Sequence, residues 1–306
     1  MPSQVIVTTT INPPTEAIKK FDAMPDWHLV VAGDLRTPKD YRLARGTYLS
    51  PADQDSYDSP LSAAIGWNRM QRRNLAILAA YDLGAEVIAV VDDDNIPLPG
   101  WGQDLIVERA VSVRFYFPGV DVFDPVGMAT NLQLWHRGFP LQLLQNRAQN
   151  YEWQLVCRPI QADFWNGDPD IDAICRMEHA PECDFDPAYF PMASDVFSPF
   201  NSQNTFIARR VIPDYFLFPG IGRMDDIWAS YYVESLGHLP VYGKVSVYQQ
   251  RNEHNLTHDM QQEFLGYEHN LQLVQDLKKS SKNIFLYLPS RSAQVHRLYR
   301  RHFSNA

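Results

Sequence analysis

Three adjacent carboxylates, Asp92, Asp93 and Asp94, end the apolar run EVIAVVDDDNIP between Glu86 and Pro97. Like charges at the end of a buried strand repel one another, and a divalent cation held by hard oxygen ligands is the economical way to offset them. Shared with a ligand's phosphates, such a cation would neutralise a departing diphosphate. A surface turn is the other reading, but Asn95-Ile96-Pro97 follows at once, so the aspartates do not simply cap a helix.

Three further clusters carry side chains suited to chemistry. Arg69, Arg72, Arg73 and Asn74 open a helix ahead of the aspartate strand. They read either as a solvated basic face or as guanidinium groups that pair bidentately with phosphate or sugar oxygens. Gly222 to Trp228 (GRMDDIW) sets Asp225 and Asp226 behind a flexible Pro219-Gly220 approach. Two acids there either favour the positive end of a helix dipole or present a general base to an acceptor hydroxyl. His254 precedes His258 by four residues, with Arg251 and Asn255 beside it. On a helix the two histidines could share a metal, although no partner motif specifies zinc.

The elements that must hold these groups follow from periodicity. Residues 4–9 (QVIVTT) predict a first strand, and Thr15 caps a short helix through Phe21. Trp27–Ala32 predicts a second strand, Tyr48-Leu49 a short third, Asn68–Leu83 a helix closed by Gly84, and Val87–Val91 a further strand. Apolar strands alternating with helices indicate an α/β fold with a mostly parallel sheet covered on both faces. Ligands bind beyond the carboxyl ends of such strands, where Thr9, Thr10, Asp34 and the three aspartates all fall. Residues 101–199, rich in Pro, aromatics and Asp, predict loops mixed with irregular helices. Regular patterns return at Asn204–Ile212, Asp225–Leu236 and Met260–Leu277, before a basic tail that reads as a solvated terminal helix.

Composition narrows the function class. The 306 residues carry 27 basic and 36 acidic side chains, a net charge of −9, which disfavours nucleic acid as the main partner. An apolar content of 45% suits a sizeable core. Three cysteines (Cys157, Cys175, Cys183) show no zinc spacing, and their odd number argues against a disulfide framework. No signal peptide or stretch of roughly 20 apolar residues is visible, so a cytoplasmic protein with no transmembrane segment is expected.

The chain resembles the STELLO glycosyltransferase family, which has a GT-A fold. The likeness is carried by colinear blocks: Thr8–Phe21, Val31–Gln54, Arg72–Pro97, Trp135–Leu141 (WHRGFPL), Asn166–Ile174 (NGDPDIDAI), Pro199–Thr205 (PFNSQNT) and Gln250–Leu256. It is also similar to the reversibly glycosylated polypeptides that act as UDP-arabinopyranose mutases. There the GRYDDMWAG block corresponds to Gly222–Ser230 and RGYP to Arg137–Pro140. The first arginine of the latter block becomes glycosylated in that family, which makes Arg137 its counterpart. The second arginine of that family is Leu144 here.

The resemblance implies one GT-A-like catalytic domain over residues 1–270, with a nucleotide-binding half (1–100) and an acceptor or sugar half (101–270), and a basic helical tail over 271–306. It implies that Thr9, Asp34, Arg72, Arg73 and Asp93 meet the nucleotide-sugar donor, a UDP-sugar in preference. Asp92 and Asp94, joined by His254, would bind Mn²⁺ or Mg²⁺, and Asp225 or Asp226 would face the sugar or a hydroxyl acceptor. The implied activity is metal-dependent glycosyl transfer. A pyranose–furanose mutase with Arg137 as the adduct residue and a non-catalytic nucleotide-sugar scaffold are the alternatives, and a homo-oligomer is compatible with all three.

Overall fold

The computed structural model describes residues 2–131, 133–179, 181–250 and 255–304. In chain order its elements are β1 (Gln4–Thr9), α1 (Glu16–Asp22), β2 (His28–Ala32), β3 (Thr47–Leu49), α2 (Pro51–Tyr57), α3 (Ser59–Ile65), α4 (Arg73–Asp82) and β4 (Val87–Val91). There follow β5 (Asn95–Pro97), β6 (Ala110–Tyr116), α5 (Pro125–Ala129), β7 (Tyr151–Cys157), β8 (Ile160–Gly167), α6 (Ala173–His179), β9 (Met192–Ala193) and β10 (Asn204–Ala208). The last are α7 (Asp225–Ser235), β11 (Pro240–Gln249), α8 (Leu256–Lys279) and α9 (Ser290–Ser304).

These strands form one sheet in the order β3-β2-β1-β4-β10-β8-β11-β9-β6-β7, with β5 on β11. Strands β3, β2, β1 and β4 are mutually parallel. The apolar runs of β2, β1 and β4 are buried on both faces, as parallel strands require, while the short edge strand β3 is half-buried. Beyond β4 the sheet is mixed: β10 runs antiparallel to β4 and β8, β8 and β11 are parallel, and β7 closes the far edge antiparallel to β6. The expected α/β class, a central sheet flanked by helices, is what the chain adopts.

Local signals explain most boundaries in the first half. Thr15 Oγ1 accepts the N–H of Ile18 at 3.2 Å to start α1. Ser50 and Asp53 form a reciprocal capping box at α2. Gly84, at φ 82°, takes the left-handed conformation that ends α4. The helix expected from Asn68 starts later, as a 3₁₀ turn at Met70–Arg72 leading into α4. The Asp34 carboxylate accepts the N–H groups of Asn68 and Arg69 at 2.8 and 3.1 Å and holds both outside the helix. Asn68 is consequently left-handed at φ 57°.

Two expectations are corrected here. The segment 101–199 contains β6, β7, β8 and β9 as well as short helices, so it supplies four of the sheet's eleven strands. The basic tail is not a solvated appendage. Residue 270 lies inside α8, and α9 buries Ala293, Val295, His296 and Tyr299. His296 sits among the rings of Phe216, Phe218, Tyr232 and Phe285, while Tyr299 donates to the Ile212 carbonyl at 2.8 Å. No helix among the described residues is long and apolar enough to cross a membrane.

Candidate functional site

The carboxyl ends of β1, β2 and β4 open into a cleft of about 340 Å³. Thr9, Thr10, Asn12, Asp34, Asn68, Met70 and Arg73 line it, with Arg36 and Arg69 at its exposed rim and all three of Asp92, Asp93 and Asp94 on one wall. The strands' parallel register is what brings residues 9, 34 and 92 together, since it aligns their carboxyl ends.

Each aspartate has a different environment. Asp92 pairs with Arg73, whose Nη2 donates to Oδ1 at 2.5 Å, yet a quarter of the Asp92 side chain stays open. Burial raises the Asp92 carboxyl above its ordinary pKa against the pull of Arg73, and Asp93 and Asp226 add to the rise. Asp93 accepts the Thr10 hydroxyl and the Asn12 amide, the latter at 3.1 Å. Its carbonyl accepts the Thr15 hydroxyl, so the residue that caps α1 also fixes the aspartate loop. Asp94 lines the same cleft.

Thr9 and Asp34 serve the wall more than the space. Thr9 Oγ1 donates to the Ala32 carbonyl at 2.7 Å. Asp34, only 2% exposed, gathers three backbone N–H groups, from Leu35, Asn68 and Arg69. It thereby positions the loop that carries Arg69 over the cleft.

Arg72 and Arg73, adjacent in sequence, have opposite fates. Arg72 is fully buried away from the cleft, donating to Gln54 Oε1 at 2.8 Å and to Ser62 O and Oγ at 2.9 Å, with its guanidinium 3.6 Å from the centre of the Trp67 ring. Burial lowers its pKa to about 10. The expectation that Arg72 meets the donor is corrected, because its N–H groups are engaged in packing α2 and α3. Arg73 stays at the cleft.

Behind Arg73 runs a ladder of alternating charge. Arg73 Nη1 donates to Ser202 O at 2.8 Å and Oγ at 2.9 Å. The Ser202 N–H and hydroxyl both donate to Asp226 Oδ2, at 3.0 and 3.2 Å. Arg137 grips Asp226 with two parallel hydrogen bonds of 2.9 and 3.0 Å and donates its Nε to Asp170 at 2.9 Å. Asn201 donates to the other oxygen of Asp170 at 2.9 Å. Burial would raise the Asp226 pKa, but Arg137 outweighs it and the net shift is downward.

Arg137 is therefore an interior counter-ion, 4% exposed, which also donates to the Arg223 carbonyl. Burial disfavours its charge, but Asp170 and Asp226 prevail and hold the guanidinium firmly protonated. A protonated guanidinium clasped by two carboxylates offers no nucleophilic nitrogen, and the adduct role expected for Arg137 has no geometric support. Asp225 is buried beside this ladder and accepts Gln71 Nε2 at 2.5 Å. Burial first, and then Asp226, push its pKa up to about 7. Neither Asp225 nor Asp226 lines the cleft, although Gln71 follows the cleft residue Met70 directly.

His254 and Arg251, with the metal role expected for the former, lie outside the described residues. Asn255 caps α8 by accepting the His258 N–H at 3.1 Å. Among the described residues no group of three His, Cys, Asp or Glu side chains is gathered as a metal cage. The all-oxygen wall of Asp92, Asp93 and Asp94 nevertheless fits Mg²⁺ or Mn²⁺, which commonly take one or two carboxylates and complete their shell with water and phosphate. The Asp92 carboxylate, engaged by Arg73 through Oδ1 and still partly open, is suited to that role. Sequence reasoning missed Asn12, Arg36, Gln71, Asp170, Asn201 and Ser202 as site members. The last three fall in the blocks Asn166–Ile174 and Pro199–Thr205, where only the resemblance drew notice.

No family model matches the chain. In sequence it is similar to the probable glycosyltransferase STELLO2 of Arabidopsis thaliana, 25% identical over 182 residues, which is 55% of this chain and 24% of that protein. The probable glycosyltransferase STELLO1 of the same plant matches to the same extent. The chain thus aligns with about a quarter of the length of these curated relatives. Among solved structures it is similar to glucosyl-3-phosphoglycerate synthase from Mycobacterium tuberculosis. The complex with phosphoglyceric acid gives a TM-score of 0.40 at 13% identity, covering 95% of this chain and 80% of that one. The complex with Mn²⁺, UDP-glucose and phosphoglyceric acid gives 0.44 at 12%, covering 88% and 80%. A likeness this shallow transfers no residue roles. The resemblance to STELLO glycosyltransferases expected from the sequence blocks is found by direct comparison.

Proposed function

We propose that this chain is a metal-dependent glycosyltransferase that binds a nucleotide-diphospho-sugar, a UDP-sugar in preference, in the cleft at the ends of β1, β2 and β4. The observation that carries the proposal is the cleft's paired lining: an acidic wall of Asp92, Asp93 and Asp94 faces a space rimmed by Arg36 and Arg69. Carboxylates suit a cation and guanidinium groups suit phosphate, so the two linings together suit a metal–diphosphate unit. The sequence similarity to probable glycosyltransferases agrees with this reading. A bound Mn²⁺ or Mg²⁺ would offset the negative charge on the departing diphosphate.

The chain's own residues divide the remaining work. Asp92 and Asp94 hold the cation, Asp93 fixes their loop through Thr10 and Asn12, and Arg73 aims Asp92. Asp34 shapes the loop that presents Arg69. Of the acidic pair, Asp226 is held ionised by Arg137 and acts as a positioning group. Asp225, with a pKa raised to about 7, suits a base that takes the acceptor's hydroxyl proton once Gln71 exchanges its hydrogen bond for the acceptor.

A thermal-shift screen of nucleoside diphosphates and nucleotide sugars, with and without Mn²⁺, tests the reading. A ligand at a hundredfold excess over its Kd stabilises the folded state by about 2.7 kcal/mol. UDP or a UDP-sugar should raise the midpoint only with Mn²⁺, and Asp94→Ala should abolish the shift and donor turnover. Metal-independent binding, or unchanged turnover in Asp94→Ala, overturns the cation assignment.

A further inference from the structure

The far edge of the sheet is β7, whose pairing to β6 runs without a bulge across all seven of its residues, Ala110↔Cys157 to Tyr116↔Tyr151. Edge strands are ordinarily guarded by Lys, Pro, a bulge or an overlying element, because their unpaired backbone groups recruit other strands. The β7 sequence, YEWQLVC, has neither Lys nor Pro, and Glu152 is its one charged guard. Its side chains instead present apolar surface: Tyr151 is 42%, Trp153 60% and Leu155 73% exposed.

Backbone and side chains are in phase. The Phe117 N–H donates to the Asn150 carbonyl at 2.9 Å, which sets the alternation of the β6–β7 ladder. Residues 152, 154 and 156 then bond inward to β6, while the N–H and C=O groups of Tyr151, Trp153, Leu155 and Cys157 point out of the sheet edge. Among the described residues β7 pairs with no other strand. The exposed apolar side chains and Cys157 stand on these same four residues, all on one face, while Glu152 is exposed on the other, where Val156 turns against the small cluster around Val113 and Phe115.

We propose that β7 is a dimerisation edge, and that its occupant is β7 of a second copy, antiparallel about a twofold axis through Gln154. The strand is self-complementary in that register. Trp153 meets Leu155 of the other copy, Tyr151 meets Cys157, and each of those pairs exchanges its outward N–H and C=O groups. The strand's one charged side chain, Glu152, meets Val156 and not another acid, so a chain of net charge −9 brings no like charges face to face along the contact. The two apolar faces then merge into one patch on a continuous sheet, which an unrelated partner strand would not match residue for residue.

Sedimentation of the wild-type chain from low to high micromolar concentration should show a concentration-dependent rise from the monomer to twice its mass. Trp153→Glu alone and Leu155→Lys alone should each give a monomer whose melting midpoint matches that of the wild type diluted to its monomeric form. The double substitution sets opposite charges across the axis twice and should restore the dimer. In a Cys157→Ser background, Gln154→Cys should form a disulfide-linked dimer under mild oxidation, because Cα atoms of that central pair would stand about 4.5 Å apart. A wild-type monomer at every concentration overturns the proposal, as does a dimer indifferent to Trp153→Glu. Failure of both the charge exchange and the Gln154→Cys crosslink overturns the register.

Discussion

Removing the Arg137 guanidinium while keeping its bulk, as Arg137→Met, strands Asp226 with only the Ser202 N–H and hydroxyl as partners. The lost pair is 5% and 3% exposed at its two side chains, so water does not replace the counter-charge. Breaking a buried pair by deleting one partner costs about 3–5 kcal/mol. That is a large share of the 5–15 kcal/mol typical of a folded domain, and it corresponds to a fall in melting midpoint on the order of 10 °C. The cost depends on pH with a definite sign. In the wild type Asp226 has a pKa below its unfolded value, so its stabilising contribution is present above the unfolded value and lost as pH falls through the folded one. In the variant the stranded carboxyl can relieve itself by protonation, so the gap between the two proteins should be widest near pH 8 and narrow toward pH 5. Urea unfolding at several pH values reads this directly. Adding Asp226→Asn to the variant should recover part of the loss at pH 8. A cost under about 1 kcal/mol at pH 8 would refute the buried counter-ion role and reopen Arg137 to chemistry.

Four further outcomes follow from other residues. Arg72→Met should lower stability by roughly 1–3 kcal/mol, since Gln54 and Ser62 lose their donor, yet leave Mn²⁺ affinity unchanged by calorimetry. Arg73→Met should weaken Mn²⁺ binding about 10- to 100-fold, as loss of a ligand's supporting partner does. Turnover governed by Asp225 should rise with pH through about 7, because the base must be ionised and burial has pushed its pKa to that value. Asp225→Asn should remove that rise and lower kcat more than it alters KM. Burial lowers the His296 pKa to about 4 beside Arg300, Arg297 and Asp214, so stability should decline by roughly 1.4 kcal/mol per unit as pH falls from about 6.5 to 4. His296→Phe should flatten that decline in thermal melts, and an unchanged slope would show that another group sets it.

The first hundred residues were readable because each signal there is local. Continuous apolar runs at β1, β2 and β4, the Thr15 cap and the Gly84 stop specify their elements without help from distant chain. The late start of α4 escaped notice because Asp34, a residue 34 positions upstream of Asn68, holds the helix's opening residues away from it. That shift also decides which of Arg72 and Arg73 reaches the cleft, since neighbours on a helix point about 100° apart. β7 was illegible for the opposite reason: its apolar residues face outward, so alternation gave no core pattern. The aspartate triplet and Asp34 were recognisable by type and position. Asp170, Asn201 and Ser202 were not, because each acts through a partner that only the fold supplies.

The docking of α9 has a consequence for how the protein comes into being. Arg291 donates to the Ala64 carbonyl across 227 positions of sequence, and His302 meets Asp82 across 220. Ala64 stands just before the 66–69 loop that Asp34 and Arg69 shape into the rim of the cleft. On a ribosome adding roughly 5–20 residues per second, the nascent first half waits about 10–45 s for this clasp. Contacts of such long range close late, after the local elements are in place. Ligand competence should therefore arrive only after α9 has left the exit tunnel, and the surfaces around Ala64 and Asp82 stay uncovered until then.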